Sequence, residues 1–210
     1  MSPSTRDAAL RARVLSSVEA EPSPSRPALE RRTRVALGGS GALLAAVALT
    51  GRGPHSHDVA WWLGAGWLAL MSAAATTLAL TGRRPVSVAV RRAWIAVVAA
   101  ALGVAASVLW LPDPFASVPP AAHGECSAMT LGLGAALALT VTRARSGSDP
   151  IAPARTGLLI GVLAGLWSAA TIAFRCGHAQ VDHLLVSHVA PVLIIAVAGR
   201  IAGKRRLSVR

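Results

Sequence analysis

Six runs of the sequence, each 16 to 23 residues long, contain no Lys, Arg, Asp or Glu: 35–50, 59–81, 93–111, 126–142, 156–174 and 184–199. A helix rising 1.5 Å per residue needs about 20 apolar residues to cross the ~30 Å hydrocarbon core of a bilayer. The shorter runs can be completed by flanking Arg and Lys, whose stems lie along apolar surface while their heads reach water. The sequence therefore predicts an all-α, polytopic integral membrane protein with six transmembrane helices. Composition agrees, since only 14% of the 210 residues are charged and the mean hydropathy is +0.54. A soluble domain carries about 25% charged residues, and this chain has too few to cover a water-soluble globule. Residues 1–34 are polar and charged, which is not the pattern of a cleavable signal peptide.

The basic residues set the orientation. Seven Arg precede the first run, four lie between runs two and three, three between four and five, and five Arg or Lys follow the last. The alternate loops hold only Arg52 and Arg175, so 19 of the 21 basic residues fall on one side. The positive-inside rule makes that side cytoplasmic and places both termini there. The same clustering argues against nucleic acid as a partner, because the net charge of +12 is spent between apolar runs and forms no patch with interleaved aromatics. Three regions follow: a cytoplasmic segment 1–34, a six-helix bundle 35–203 and a basic tail 204–210.

Chemistry gathers on the opposite face. All six His and both Cys fall there: His55 and His57 in the first outer loop, His123 and Cys126 at the entry to run four, Cys176, His178 and His183 around the third outer loop, and His188 about one turn inside run six. Asp58, Asp113, Glu125 and Asp182 share that face. Cys126 and Cys176 each end a span at similar depth, so they could meet. Outside the cytoplasm such a pair is either a structural disulfide or a thiol pair that senses oxidant or a soft metal. The spacing His123-x-x-Cys126, with Cys176-x-His178 and His183 as a second arm, also allows a four-coordinate N/S site for Zn²⁺ or a softer heavy-metal ion.

Enzyme motifs are absent: no G-x-S-x-G, no H-E-x-x-H, no Walker-type glycine loop and no paired carboxylates within the runs. The expectation is a protein that is not an enzyme. Ion-coupled transporters usually carry ionisable groups at mid-depth, and here only His188 comes near. On the cytoplasmic side, residues 5–20 can form a helix in which Leu10, Val14 and Val18 recur every four residues among Arg6, Arg11 and Arg13. A Pro-rich linker follows at 21–27. The helix either lies on anionic lipid or docks its stripe in a partner's groove. Gly157, Gly161 and Gly165 line one face of run five, and Gly199 and Gly203 repeat the spacing in run six, as close helix packing requires.

The last 85 or so residues resemble the NrsF family of bacterial membrane anti-sigma factors. The resemblance is carried by Glu125-Cys126-Ser127-Ala128-Met129-Thr130-Leu131, by Arg155-Thr156-Gly157, by Phe174-Arg175-Cys176, and by Gly199 with Gly203-Lys204-Arg205-Arg206. It implies six helices in the bacterial inner membrane and a short cytoplasmic N-terminus that holds an extracytoplasmic-function sigma factor. It also implies an outer Cys pair, matching Cys126 and Cys176, that is tied to release under metal or oxidative stress. The expected function is thus a membrane-bound anti-sigma factor responding to an outer-face metal or redox signal. The alternatives are a small transporter or permease component for a metal ion, and a structural membrane subunit with no sensing role.

Overall fold

A computed structural model of the chain describes residues 25–50, 59–80, 86–109, 115, 117–146, 152–178 and 180–208, together with Ala12 and Ser16. The stripe Leu10, Val14 and Val18 lies outside these residues, as do His55, His57, Asp58 and Asp113. Among the described residues the secondary structure is all helical. The helices are α1 (Arg26–Thr50), α2 (Val59–Leu80), α3 (Val86–Leu109), α4 (Pro120–Ala144), α5 (Pro153–Ala173) and α6 (Val181–Arg206).

Proline marks where several of them start. Pro27, Pro120 and Pro153 sit in the first turns of α1, α4 and α5, where the missing N–H would have had no intrahelical partner. Pro191 has the opposite effect inside α6. It cannot donate to the carbonyl four residues back, and the helix widens into a π turn at Leu185–Val189 just before it. Several helices also start before their apolar runs. α1 begins at Arg26 although its run begins at residue 35, and its extra turns carry the Arg34–Glu30 ion pair at 2.6 Å.

Apolar clusters show how the helices run past one another. Ala65 of α2, Val104 of α3, Ala173 of α5, and Val181 and Leu184 of α6 meet at one end of the bundle. Leu68, Ala100, Leu166 and Ala170 form the middle layer. Ala75, Ala93, Ala96, Leu159 and Leu163 meet at the other end. These layers take α2 and α5 in opposite chain directions to α3 and α6 respectively, an up-and-down bundle. On the far side Leu44 of α1 joins Leu137, Ala138, Ala164 and Ile195.

α5 is the centre of the bundle, with 83% of its most apolar window buried, against 17% for α1, 28% for α4 and 44% for α6. It meets α6 backbone to backbone. A Cβ added at Gly161 would stand 2.5 Å from the Ile195 carbonyl oxygen and 2.8 Å from Ala196 Cα, and one at Gly157 would collide with the Gly199 carbonyl. Side-chain hydrogen bonds add cross-ties: Trp167 Nε1 donates to Thr76 Oγ1 at 3.1 Å, Ser168 Oγ to the Thr130 carbonyl at 3.0 Å, and Trp67 Nε1 to the Ala99 carbonyl at 2.9 Å. Such bonds in membrane proteins contribute about 0.6 kcal/mol each.

The outer faces are as apolar as the buried ones. Leu193, Ile194 and Val197 are exposed beside buried Val192, Ile195 and Ala196, and Leu70, Ile95 and Leu102 are exposed on α2 and α3. A helix apolar all round belongs in a large core or in lipid. Four helices, Pro27–Thr50, Pro120–Ala144, Pro153–Ala173 and Val181–Arg206, are long and apolar enough to cross a membrane. The described side chains of α2 and α3 give shorter apolar stretches, Leu63–Thr76 and Ala93–Ala106.

Candidate functional site

Three helix ends converge on the cysteines. Pro120 starts α4, which puts His123 and Cys126 within its first two turns. Thr130 Oγ1 donates to the Cys126 carbonyl at 2.8 Å, and the bond from Ser168 to the Thr130 carbonyl fixes this stretch against α5. Cys176 lies just past α5, its backbone N–H folded back onto the Ile172 carbonyl at 2.8 Å. His183 is fully buried in the first turn of α6, where Asp182 Oδ1 accepts its backbone N–H at 2.7 Å.

The sulfurs of Cys126 and Cys176 are 3.5 Å apart as free thiols, and Cys176 Sγ is 3.0 Å from His183 Nε2. One ligand atom from each of Cys126, Cys176 and His183 lies within 4.8 Å of the other two. Two sulfurs bound to one tetrahedral zinc, at about 2.3 Å each, stand roughly 3.8 Å apart. The chemistry of the donor set and its spacing thus fit a soft or borderline ion. They equally suit a disulfide, which needs the sulfurs to close to about 2.05 Å.

Ser187 stands against the nitrogen of His183 that faces away from the sulfurs. Its hydroxyl donates to the His123 carbonyl at 3.2 Å, so its oxygen is left to accept from His183 Nδ1 at 3.4 Å. With the ring proton on Nδ1, the Nε2 lone pair faces the sulfurs. The second backbone link between these elements is Ser127 Oγ donating to the Val186 carbonyl at 3.2 Å.

The remaining sequence-selected histidines surround this group without joining the three-atom convergence. The His123 and His178 rings have centroids 5.0 and 5.4 Å from that of His183, and the His188 ring lies 5.5 Å away on the other side. His123 Nε2 faces Asp182 Oδ2 at 3.7 Å, while its Nδ1 is buried with no hydrogen-bond partner. Electrostatics favour an ionisable Cys176. The hydrogen bond from Cys126 lowers its thiol below the ordinary range and outweighs the opposing effect of burial, with help from the His178 backbone. His178 is held below the usual imidazole range, first by burial and then by its histidine neighbours His183 and His123.

Sequence reasoning missed Ser187, and it gave Asp182 no role beyond charge. The available signal was spacing, because His183 and Ser187 are four residues apart and share a helix face. The buried polar residues among those described are Thr, Ser and His only, with no Asp, Glu, Lys or Arg.

The fold and site define an all-helical bundle with membrane-length apolar helices and a Cys/His cluster at one end. The chain belongs to the NrsF family, described as negative regulators of sigma F, whose family model matches residues 17–208. That is a family of sigma-factor regulators and not an enzyme family. No curated protein and no solved structure matches the chain.

Proposed function

We propose that this protein is a six-span anti-sigma factor of the bacterial inner membrane, with both termini cytoplasmic. Segment 1–34 sequesters an extracytoplasmic-function sigma factor through Leu10, Val14 and Val18, and the cluster of Cys126, Cys176 and His183 receives the releasing signal from outside. The bundle spans 35–203, and the basic tail 204–210 lies against the inner leaflet. The observation that carries the sensing half is the convergence of the His183 Nε2 lone pair with both thiols, all within 4.8 Å.

Of the two signals, this geometry favours a soft metal ion. A metal ion takes all three donors as ligands, whereas a disulfide joins only the two sulfurs. Zn²⁺ or a softer ion would be held by Cys126, Cys176 and His183. His123 is the next candidate ligand, because Asp182 occupies its Nε2 and leaves Nδ1 unpartnered. Bound there, the ion supplies a charge-neutralising bridge between α4, the end of α5 and the start of α6. The second reading, oxidation of the pair to a disulfide, rests on the 3.5 Å sulfur separation.

The response needs only a modest coupling energy, about 1–3 kcal/mol between signal and partner. α5 and α6 are joined backbone to backbone through their glycines. α1, the least buried of the four long apolar helices, leads directly from segment 1–34 into the bundle. Drawing α4 toward the α5–α6 pair therefore acts on the helix that carries the partner-binding segment.

The test is co-purification from native membranes. A sigma factor should accompany the full-length protein and be lost from one lacking residues 1–30. Equal recovery with both proteins would sink the proposal.

A further inference from the structure

The three donors of the cluster are not equally reachable. Cys176 and His183 are 4% and 0% exposed, whereas Cys126 is half-buried. An ion arriving from outside the membrane therefore meets Cys126 first, on the α4 side of the cluster. Cys126 directly follows Glu125, which lies exposed within the first two turns of α4. Asp182, in the first turn of α6, supplies a second carboxylate at this rim.

The two carboxylates are differently engaged. Asp182 Oδ1 accepts the His183 backbone N–H at 2.7 Å, and its Oδ2 stands 3.7 Å from His123 Nε2. Its charge also answers the positive N-terminal end of α6. Glu125 makes no hydrogen bond and no ion pair among the described residues. Its charge nonetheless reaches the cluster, where it opposes ionisation of the Cys176 thiol. Arg175, the Lys or Arg described at this end, is tied to neither carboxylate. The charge free to act on an arriving ion is thus mainly that of Glu125.

That placement selects among chemical forms of a metal. A free carboxylate beside the reachable thiol lowers the energy of an arriving cation and raises that of an anion, and low-dielectric surroundings focus its field. Carboxylate oxygen is also a suitable first partner for an ion that still carries its water. We propose that the cluster takes its metal as an aquated divalent cation and not as an oxyanion, and that Glu125 captures this cation and passes it to Cys126. From there the ion moves inward to Cys176 and His183, exchanging water for sulfur and nitrogen. Each thiol releases its proton to bulk water as its metal bond forms. The inference rests on the metal reading proposed above and adds the class of ion and its port of entry.

The experiment uses reduced, full-length protein in phosphatidylcholine nanodiscs, whose lipid carries no net charge. Stopped-flow mixing follows cadmium by thiolate-to-cadmium ultraviolet absorption. Loss of free thiol follows two further probes: arsenite, which is uncharged at neutral pH, and selenite, an oxyanion that thiols reduce. Glu125→Gln should slow cadmium binding about fivefold at low salt, the size expected for one unit charge acting on a divalent ion through about 8 Å of water. The same variant should leave arsenite unchanged and speed selenite. Glu125→Asp, which keeps the charge, should bind cadmium at close to the wild-type rate. In about 1 M potassium nitrate, where the Debye length is about 3 Å, the rates of wild type and Glu125→Gln should converge. Wild-type cadmium kinetics in Glu125→Gln, or equal slowing of cadmium and arsenite, would overturn the role of Glu125 while leaving the metal site in place. Cadmium that does not bind the wild-type protein would overturn the metal site and this inference together.

Discussion

Ser187 Oγ stands 3.4 Å from His183 Nδ1, and because the same hydroxyl donates to the His123 carbonyl, it acts on the imidazole as an acceptor. With that bond made, His183 faces Cys176 with a lone pair. Removing it should matter even though Ser187 touches neither sulfur in any described contact.

Ser187→Ala should lower cadmium affinity about 10- to 100-fold, the usual effect of losing an outer partner of a metal-bound histidine. His183→Ala should cost more. Titration of the purified protein against a chromophoric chelator, with thiolate-to-cadmium ultraviolet absorption as the second readout, measures both. Wild-type affinity in Ser187→Ala would mean that the tautomer is set by something else.

Helix pairing gives a prediction that does not depend on the site. Gly161→Val puts side chain against the Ile195 and Ala196 backbone, and should cost about 1–3 kcal/mol and separate α5 from α6. Gly132, on an exposed stretch of α4, has nothing within 4 Å of an added Cβ, so Gly132→Ala should be neutral or stabilising by up to about 1 kcal/mol. Thermal unfolding in detergent followed by circular dichroism compares the two; equal loss would contradict the close backbone contact.

Much of this was legible in the residues. The absence of charge from six runs marks six helices, because burying charge in lipid is costly, and the glycine spacing in runs five and six marks the α5–α6 contact. Cys126, Cys176 and His183 were selectable because they end spans on the same side. Helix ends were less legible. The polar turns of α1 before residue 35 follow Pro27 in its first turn, and those of α6 after residue 199 pack Gly199 and Gly203 against α5, neither of which an apolar-run criterion registers. The π turn also escaped, since its cause is a local conflict between Pro191 and the carbonyl four residues earlier. The choice of His183 over His178 depends on the chain reversal at Cys176, a tertiary feature.

The proposed topology is open to reporter fusions. Fusions at residues 30, 87, 149 and 210 should be active in the cytoplasm, and those at 55, 118 and 179 outside it. A C-terminal fusion active outside the cytoplasm would contradict the six-span arrangement.

For the partner-binding segment, changing Leu10, Val14 and Val18 together to Asp should release the sigma factor while membrane insertion stays normal. Retention of the sigma factor by that variant, measured by membrane fractionation and immunoblotting, would rule out the stripe as the contact.

The central claim is that Cys126, Cys176 and His183 act as one receiver whose state sets sigma-factor retention. It is tested most directly by sigma-factor recovery with the membrane-bound protein before and after cadmium or peroxide, with protein abundance measured alongside. The account predicts cadmium-driven release in the wild type and a strongly blunted release at normal abundance in Cys126→Ser, Cys176→Ser and His183→Ala alike. Loss of a structural disulfide would instead lower abundance, by removing about 2–4 kcal/mol of stability. A blunted response in the Cys variants with full release in His183→Ala would point to thiol oxidation. A double Cys→Ser protein with normal abundance and full release under both stresses would contradict the claim.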